Sequence, residues 1–420
     1  VHGLNSATVL VSTPDLRPSL LSVLQGLADN GLLQRVVTTL SFSARRLKHI
    51  SRVPVLGSPI ANALQRRQLP AFLEGKTDAI WLGEFVRLVA AKSAGPLTTH
   101  RIWDWAERRF DRLVAKTYGG RFDLVYGVEH GSAATFAAQK AAGGICVLRQ
   151  VTAHGRTLDA VLRRECERFP QFVTPYHRQL LLDDQKLIAR KEQEYRDADL
   201  IIANSEYVLR TFIDHGISPA KVIGVPTGCP PVEKILARSG QGSDPLRFLY
   251  AGTVSLRKGF PYLLEAWRKA KLGSAAELSV AGGIELDIVP ELERTPGIRY
   301  LGVLPKNELK RAYRESDVLV LPTLCEGLAH VVLESLSFGL PAITTQASGA
   351  GSLVVDGENG FIVPEADADG LASALAAALS RRGGLPAFGA RSAERAASWT
   401  VANSNAEHVR ALQRFLEERR

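Results

Sequence analysis

Two glutamates eight residues apart, Glu326 and Glu334, stand in the run EGLAHVVLESLSFGLP between Glu326 and Pro341. A short apolar run, Val318 to Val320, and a loop, Pro322 to Cys325, precede them. The order predicts a strand, a turn and a helix. If that helix begins early, eight residues is about two turns, and both carboxylates approach one ligand from one side. Unpaired amides at Leu328, Ala329 and His330 could then hold an anion or a sugar hydroxyl. Glu334 lies between Leu333 and Leu336. A carboxylate buried there needs partners, which a ribose diol could supply. The spacing fits equally well an exposed Glu326 at a helix start and a solvated Glu334.

A second group is GTVSLRKG, Gly252 to Gly259. A Gly-flanked loop carrying Arg257 and Lys258 after a strand can surround a pyrophosphate with cations and amides. It is not a Walker A loop, and adjacent basic residues in a loop are usually just solvated. A third is His154 in QVTAHGRTL, past a strand end, where a histidine can donate to a substrate hydroxyl or a leaving group. A loop histidine without a role is the commoner outcome. His130 competes with it, since it also ends a strand and has Glu129 beside it. No GxGxxG follows Ala7 to Ser12, and HExxH and clustered metal ligands are absent. A nicotinamide, flavin or metal site is therefore not expected.

The elements that must position these residues alternate between strand and helix. Ala7 to Ser12, residues 35–40, Asp123 to Val128, Ile145 to Leu148, Leu200 to Ala203 and Val222 to Val225 read as strands, with helices at Ser19 to Leu27 and Gly131 to Lys140. The pattern restarts after ARSGQGSDP, Ala237 to Pro245, with strands at Arg247 to Ala251, Glu277 to Val280, Val318 to Val320 and Ala342 to Thr344. Alternation of this kind predicts parallel sheets covered by helices, here as two doubly wound α/β domains with the functional cleft between them. The expected division is 1–236, 237–400 and a last helix in 401–420.

Composition sets the outer bounds. The chain has 420 residues, 45% hydrophobic and 23% charged, which suits a globular protein of two or three domains. The charge of +9 is compatible with anionic substrates, nucleic acid or a membrane surface. Nucleic acid is not expected, because no stacking platform or recognition motif accompanies the charge. Trp81, Trp103 and Trp105 read as core anchors of a basic helical region. The four cysteines form no CxxC, so a reducing compartment is the simplest reading. There is no run of 18 uncharged apolar residues and no basic region before the first apolar run, so neither a membrane span nor a signal peptide is expected. The basic, apolar stretch Ala44 to Leu69 could rest loosely on a membrane, although a solvated surface is its more common fate.

Taken together, these groups resemble the GT-B-fold, retaining glycosyltransferases of family 4, which use nucleotide sugars to build glycans, glycolipids and glycosides. The likeness extends from Asp123 to about Pro364 and is strongest from Arg247 onward. It rests on the Glu326 and Glu334 pair, on Gly339, Leu340 and Pro341, on Asp356 to Gly360, on Ala198 to Ile217, and on Gly302 with Leu304 and the helix Leu309 to Tyr313. The resemblance implies that Glu334 holds the donor ribose. It implies that Glu326, Gly327 and the amides of Leu328, Ala329 and His330 hold the transferred sugar. Lys258, with Arg257, would neutralise the diphosphate. His154 would be the acceptor-domain histidine near the anomeric carbon, and the helix Ala402 to Leu416 would cross back to the first domain. It further implies a metal-independent, cytoplasmic, bacterial enzyme of glycan biosynthesis without a cofactor, whose acceptor is a glycan, a lipid-linked glycan or a small molecule, with peripheral contact at the inner face of the membrane.

There are departures from the pattern. Thr253 stands where the family usually has an arginine, Ala329 replaces a second glycine, and TPDLRPS replaces a glycine-rich loop after the first strand. A non-catalytic nucleotide- or glycan-binding protein, a GT-B epimerase or a sugar phosphorylase are the alternatives.

Overall fold

Short runs of Val, Ile and Leu cannot be left with either face in water, so they form strands only where helices cover both sides. The computed structural model describes residues 8–52, 64–93, 95–233 and 244–419. Among these, the strands form two wholly parallel sheets. The first contains β1 (Val9–Ser12), β2 (Leu33–Thr38), β3 (Thr77–Ala79), β4 (Leu124–Val128), β5 (Ile145–Gln150), β6 (Leu200–Ala203) and β7 (Val222–Gly224), in the order β3-β2-β1-β4-β5-β6-β7. The second contains β8 (Leu246–Ala251), β9 (Ala276–Ala281), β10 (Ile298–Gly302), β11 (Val318–Leu321), β12 (Ala342–Thr344) and β13 (Gly360–Ile362), in the order β10-β9-β8-β11-β12-β13. The strand order reverses direction at β1 and at β8, and such reversals open a crevice at the carboxyl ends of the strands. This is the two-lobed GT-B architecture.

Three strands were not expected from the sequence: β3, β10 and β13. All three lie at sheet edges. An edge strand is covered on fewer sides, so it needs no apolar run; in β10 the sequence IRYLG contains no buried residue. The interdomain stretch Ala237 to Pro245 lies outside the described residues except for Asp244 and Pro245.

The chain crosses between the lobes twice, and the two crossings are bonded together. Cys229 N donates to Trp399 O at 2.8 Å, and Ser404 Oγ and Trp399 Nε1 donate to Pro226 O at 2.7 and 3.1 Å. The last helix, Val401–Glu417, then packs on the first lobe, where Val409, Leu412 and Leu416 join the core with Leu20, Leu24 and Leu27 of helix Pro18–Asp29. His408 is bonded to the Tyr126 hydroxyl of β4 at 2.6 Å. All four cysteines are free.

One expectation about the core is overturned. Trp81, Trp103 and Trp105 are exposed by 57%, 43% and 42% and do not anchor a core. The helices Trp81–Ser93 and Pro96–Tyr118 bury Ala90, Ala106, Phe110 and Val114 instead. Small residues at Gly83 and Ala106 set their close approach. Among the described residues, no helix is long and apolar enough to cross a membrane.

Candidate functional site

The helix after β11 begins at His330 and ends at Ser337, so Glu326 lies in the preceding loop. This corrects the expectation that both carboxylates share one helical face. Glu326 lines a cavity of ≈ 300 Å³ with Leu328, His330, Glu129 and His130. Glu334 lines a neighbouring cavity of ≈ 270 Å³. Arg149, Asn204, Thr227, Ser19 and His330 line both, so the two form one continuous cleft between the lobes.

Each glutamate is held. Glu326 accepts from Arg257 Nη1 at 2.9 Å and from Lys258 Nζ. Burial works against its charge, but the two cations more than offset this and hold the carboxyl below its usual range. The same burial draws Lys258 below the ordinary lysine range in spite of Glu326. Arg257 Nη1 also donates to Cys325 O at 3.0 Å, fixing the loop after β8 to the loop after β11. Their close approach depends on Gly259, at φ 67°, where a Cβ would come within 1.9 Å of Pro322 O. Glu334, half-buried, accepts from the Tyr313 hydroxyl at 2.9 Å.

The amides expected at the helix start are only partly available. Ala329 N donates to Ser348 O at 2.8 Å, so Leu328 and His330 remain as candidates to meet a ligand. Gly327 is a point of contact between the lobes. A Cβ there would come 1.6 Å from Val151 O, and Gly327 O accepts from Ser205 Oγ at 2.6 Å. Only glycine allows the second lobe to close this far on the first.

His154 is not in the cleft lining. It caps helix Gly155–Arg168, accepting from Arg156 N at 3.3 Å, and is only 3% exposed. Its ring stacks on His215 at 4.3 Å and lies against Tyr195 and Phe212. Burial, and then His215, push its pKa down to about 4. The first-lobe histidine that lines the cleft is His130. Its backbone has φ 73°, an uncommon conformation for a residue with a Cβ. The Glu194 carboxylate holds it there by accepting from the amides of His130 and Ser132, each at 2.9 Å. Glu129 lies 3.5 Å from His130 Nε2 and accepts from Thr152 Oγ1 and Gln150 Nε2.

Sequence reasoning passed over two residues of this cleft. Arg149, near the end of β5, is 6% exposed, and its side chain donates to Ser19 O at 3.2 Å. Among the described residues it forms no ion pair with a carboxylate. A buried guanidinium without a counter-charge is costly unless an anionic ligand supplies one. Asn204 donates to Val151 O at 3.2 Å, but its buried Oδ1 has no partner among the described residues. Arg149 sits in a strand run, which carries no such signal, while Asn204 lies in the segment Ala198 to Ile217 that carries part of the resemblance.

The sequence profile of Glycosyltransferase Family 4 matches residues 33–232, and that of the Glycosyl transferases group 1 matches residues 245–381. The chain is a GT-B-fold relative of the family 4 glycosyltransferases. A D-inositol 3-phosphate glycosyltransferase of Geodermatophilus obscurus is 30% identical over 232 residues, covering 50% of this chain and 51% of that protein. The amylovoran biosynthesis glycosyltransferase AmsK of Erwinia amylovora is 29% identical over 31% of this chain and 35% of its own length. The chain thus spans about half the length, or less, of these curated relatives. In fold it resembles sucrose-phosphate synthase of Thermosynechococcus elongatus, with a TM-score of 0.63 at 16% identity over 98% of this chain and 100% of that one. It also resembles Anabaena HepE in complex with UDP-glucose, with a TM-score of 0.59 at 15% identity over 97% and 99%.

Proposed function

We propose that this protein transfers a sugar from a nucleotide-sugar donor to a hydroxyl acceptor with retention of anomeric configuration. The observation that carries the reading is the convergence of Glu326, Glu334, His330 and Arg149 on one cleft between two Rossmann-like lobes. The UDP-glucose bound by a protein of the same fold supports a nucleotide-sugar donor.

In this reading Glu334, steadied by Tyr313, accepts hydrogen bonds from the donor ribose. Glu326 and the amides of Leu328 and His330 orient the transferred sugar. Negative charge grows on the leaving diphosphate, and the cations to meet it are Arg149 and Arg17, which line the cleft, with Lys258 and Arg257 behind Glu326. Those side chains let the reaction proceed without an added divalent metal. The acceptor hydroxyl attacks from the leaving-group side while a phosphate oxygen takes its proton, so no protein nucleophile is required. His130, beside Glu129, is the first-lobe histidine placed to hold the acceptor or sugar hydroxyls. The orphan Asn204 Oδ1 is an acceptor for another. Closure of the lobes through Gly327 limits donor hydrolysis. Relatives named for inositol 3-phosphate support an acceptor that also carries an anion, and glycan or lipid-linked acceptors fit the same cleft.

The test is product analysis with UDP-, GDP-, ADP- and TDP-sugars against glycan, lipid-linked and phosphorylated small-molecule acceptors. The reading expects acceptor-dependent release of nucleoside diphosphate and a glycoside with the donor's anomeric configuration. An inverted product would remove retention. An altered sugar with no acceptor used, or sugar phosphate formed without nucleotide, would replace transfer by epimerase or phosphorylase chemistry.

A further inference from the structure

We propose that the helices Trp81–Ser93 and Pro96–Tyr118 form a docking face for an anionic lipid surface. Residues four apart on a helix share a face. On the first helix Trp81, Phe85 and Val89 form such a stripe and are 57%, 55% and 51% exposed, with Leu82 beside them at 42%. The opposite side is turned inward. Glu84 is 4% exposed and bonded to Arg67 and Arg87, and Ala90 is buried. An amphipathic helix normally buries its apolar stripe against the protein, and this one presents it to solvent.

The neighbouring helix supplies the charge. Arg101, Trp105, Arg108, Arg112 and Lys116 are spaced to share one face, and all five are exposed. Of the acids of that helix, Asp111 is buried against the amides of Ala134 and Thr135 and Glu107 faces Arg190 at 3.5 Å, while Asp104 is shared between Arg190 and Arg108 and offsets part of the charge of Arg108. Arg87 lies over the Trp103 ring at 4.6 Å and joins the apolar stripe to the second helix.

Apolar and aromatic side chains next to a basic stripe match the two layers of an anionic membrane surface, acyl boundary and headgroup. Each Lys or Arg near such a surface adds to the attraction, and salt weakens it. A second copy of this chain would bring like charges together. The helix that carries the basic face also borders the cleft, since Glu107 on its other side lines the cavity that contains Glu326 and His130. A hydroxyl acceptor anchored in a bilayer would lie one helix away from the cleft. The contact differs from the stretch 44–69 expected from sequence, of which residues 53–63 are outside the described structure. The docking face stands on its own observations, and a protein that docked without transferring sugar would leave it intact.

The experiment is flotation of the whole chain with phosphatidylcholine vesicles, with and without phosphatidylglycerol, at low and at physiological salt. Tryptophan quenching by brominated lipid is measured on the unsubstituted chain, so one readout needs no variant. Binding that requires phosphatidylglycerol and weakens with salt is expected, together with quenching. The double variant Trp81→Ser, Phe85→Ser and the double variant Arg108→Ala, Arg112→Ala should each lower partition about 10-fold. Vesicle binding by both variants equal to that of the unsubstituted chain, or no binding and no quenching at low salt, overturns the proposal. Concentration-dependent dimers abolished by the apolar variant, with no vesicle binding, would assign the face to a second copy.

Discussion

The ammonium of Lys258 is bonded to the carboxylate of Glu326, and Arg257 reaches the other oxygen of that carboxylate at 2.9 Å. The expected cation of the phosphate loop and the expected acid of the sugar site are thus one cluster. A change in the charge of either is felt by the other.

Their substitutions should therefore fail to add. Lys258→Ala is expected to lower turnover by roughly 10²-fold, as the loss of a preorganised electrostatic donor does. Glu326→Gln should lower kcat more than it weakens donor binding. The double variant should be little worse than the more damaged single one, because each substitution already disables the shared cluster. Steady-state kinetics on the three variants check this. Losses that multiply would show two separate roles.

Tyr313 and Glu334 should be damaged through binding. Tyr313→Phe removes the hydroxyl 2.9 Å from Glu334, and Glu334→Gln changes its acceptor pattern. Both should raise donor KM with a smaller effect on kcat, the mark of lost uniform binding, with roughly 10-fold for Glu334→Gln. A fall in kcat at constant KM would place Glu334 at the reacting carbon.

The two histidines should separate cleanly. His130→Asn is expected to lower transfer while leaving the melting temperature nearly unchanged, since its ring faces the cleft. His154→Ala should cost stability, by about 1 to 3 kcal/mol, through a lost cap and an opened aromatic cluster. Denaturation and kinetics on both variants are the check. Loss of activity without loss of stability in His154→Ala would return the catalytic role to it.

Why the sequence did not show which of the two histidines lines the cleft is physical. Both follow strand ends, and what distinguishes them lies far along the chain. His154 is enclosed by Tyr195, Phe212 and His215, while Glu194 holds His130 at the cleft. The central strands and the Glu326 and Glu334 signature were legible because apolar runs and local spacing carry them. The edge strands were not, because partial exposure leaves no run. Arg149 could not be read from its neighbours, since its lack of a carboxylate partner among the described residues depends on how distant segments of the first lobe pack. The Trp81, Phe85 and Val89 stripe has the same spacing as a core stripe, and sequence does not say whether protein or solvent meets it.

Arg149→Gln should distinguish the two anions it could face. If it meets the donor diphosphate, affinity for the nucleoside diphosphate falls about 10-fold while the phosphate-free nucleoside binds as before. If it meets a phosphorylated acceptor, nucleotide affinity stays constant and the acceptor KM rises. No change in either would remove Arg149 from ligand binding.

Acid should destabilise the protein through His408. Burial, with a further effect of Arg149, pushes its pKa down to about 3, against an ordinary value of 6.5. Below pH 6.5 the unfolded chain takes up a proton that the folded one refuses, so stability present at neutral pH is lost as pH falls toward 3. The expected loss is about 1.4 kcal/mol per pH unit in that window. Denaturant melts of His408→Gln between pH 7 and pH 5 should show a shallower slope than the unsubstituted chain. An unchanged slope would mean His408 is not the group responsible.

The most direct test of the central claim is calorimetric titration of UDP-, GDP-, ADP- and TDP-sugars into the unsubstituted chain and into Glu334→Gln. The account predicts that at least one of these donors binds, and that Glu334→Gln weakens that donor roughly 10-fold through its ribose contacts. No binding of any of them, or equal binding by both proteins, would contradict it.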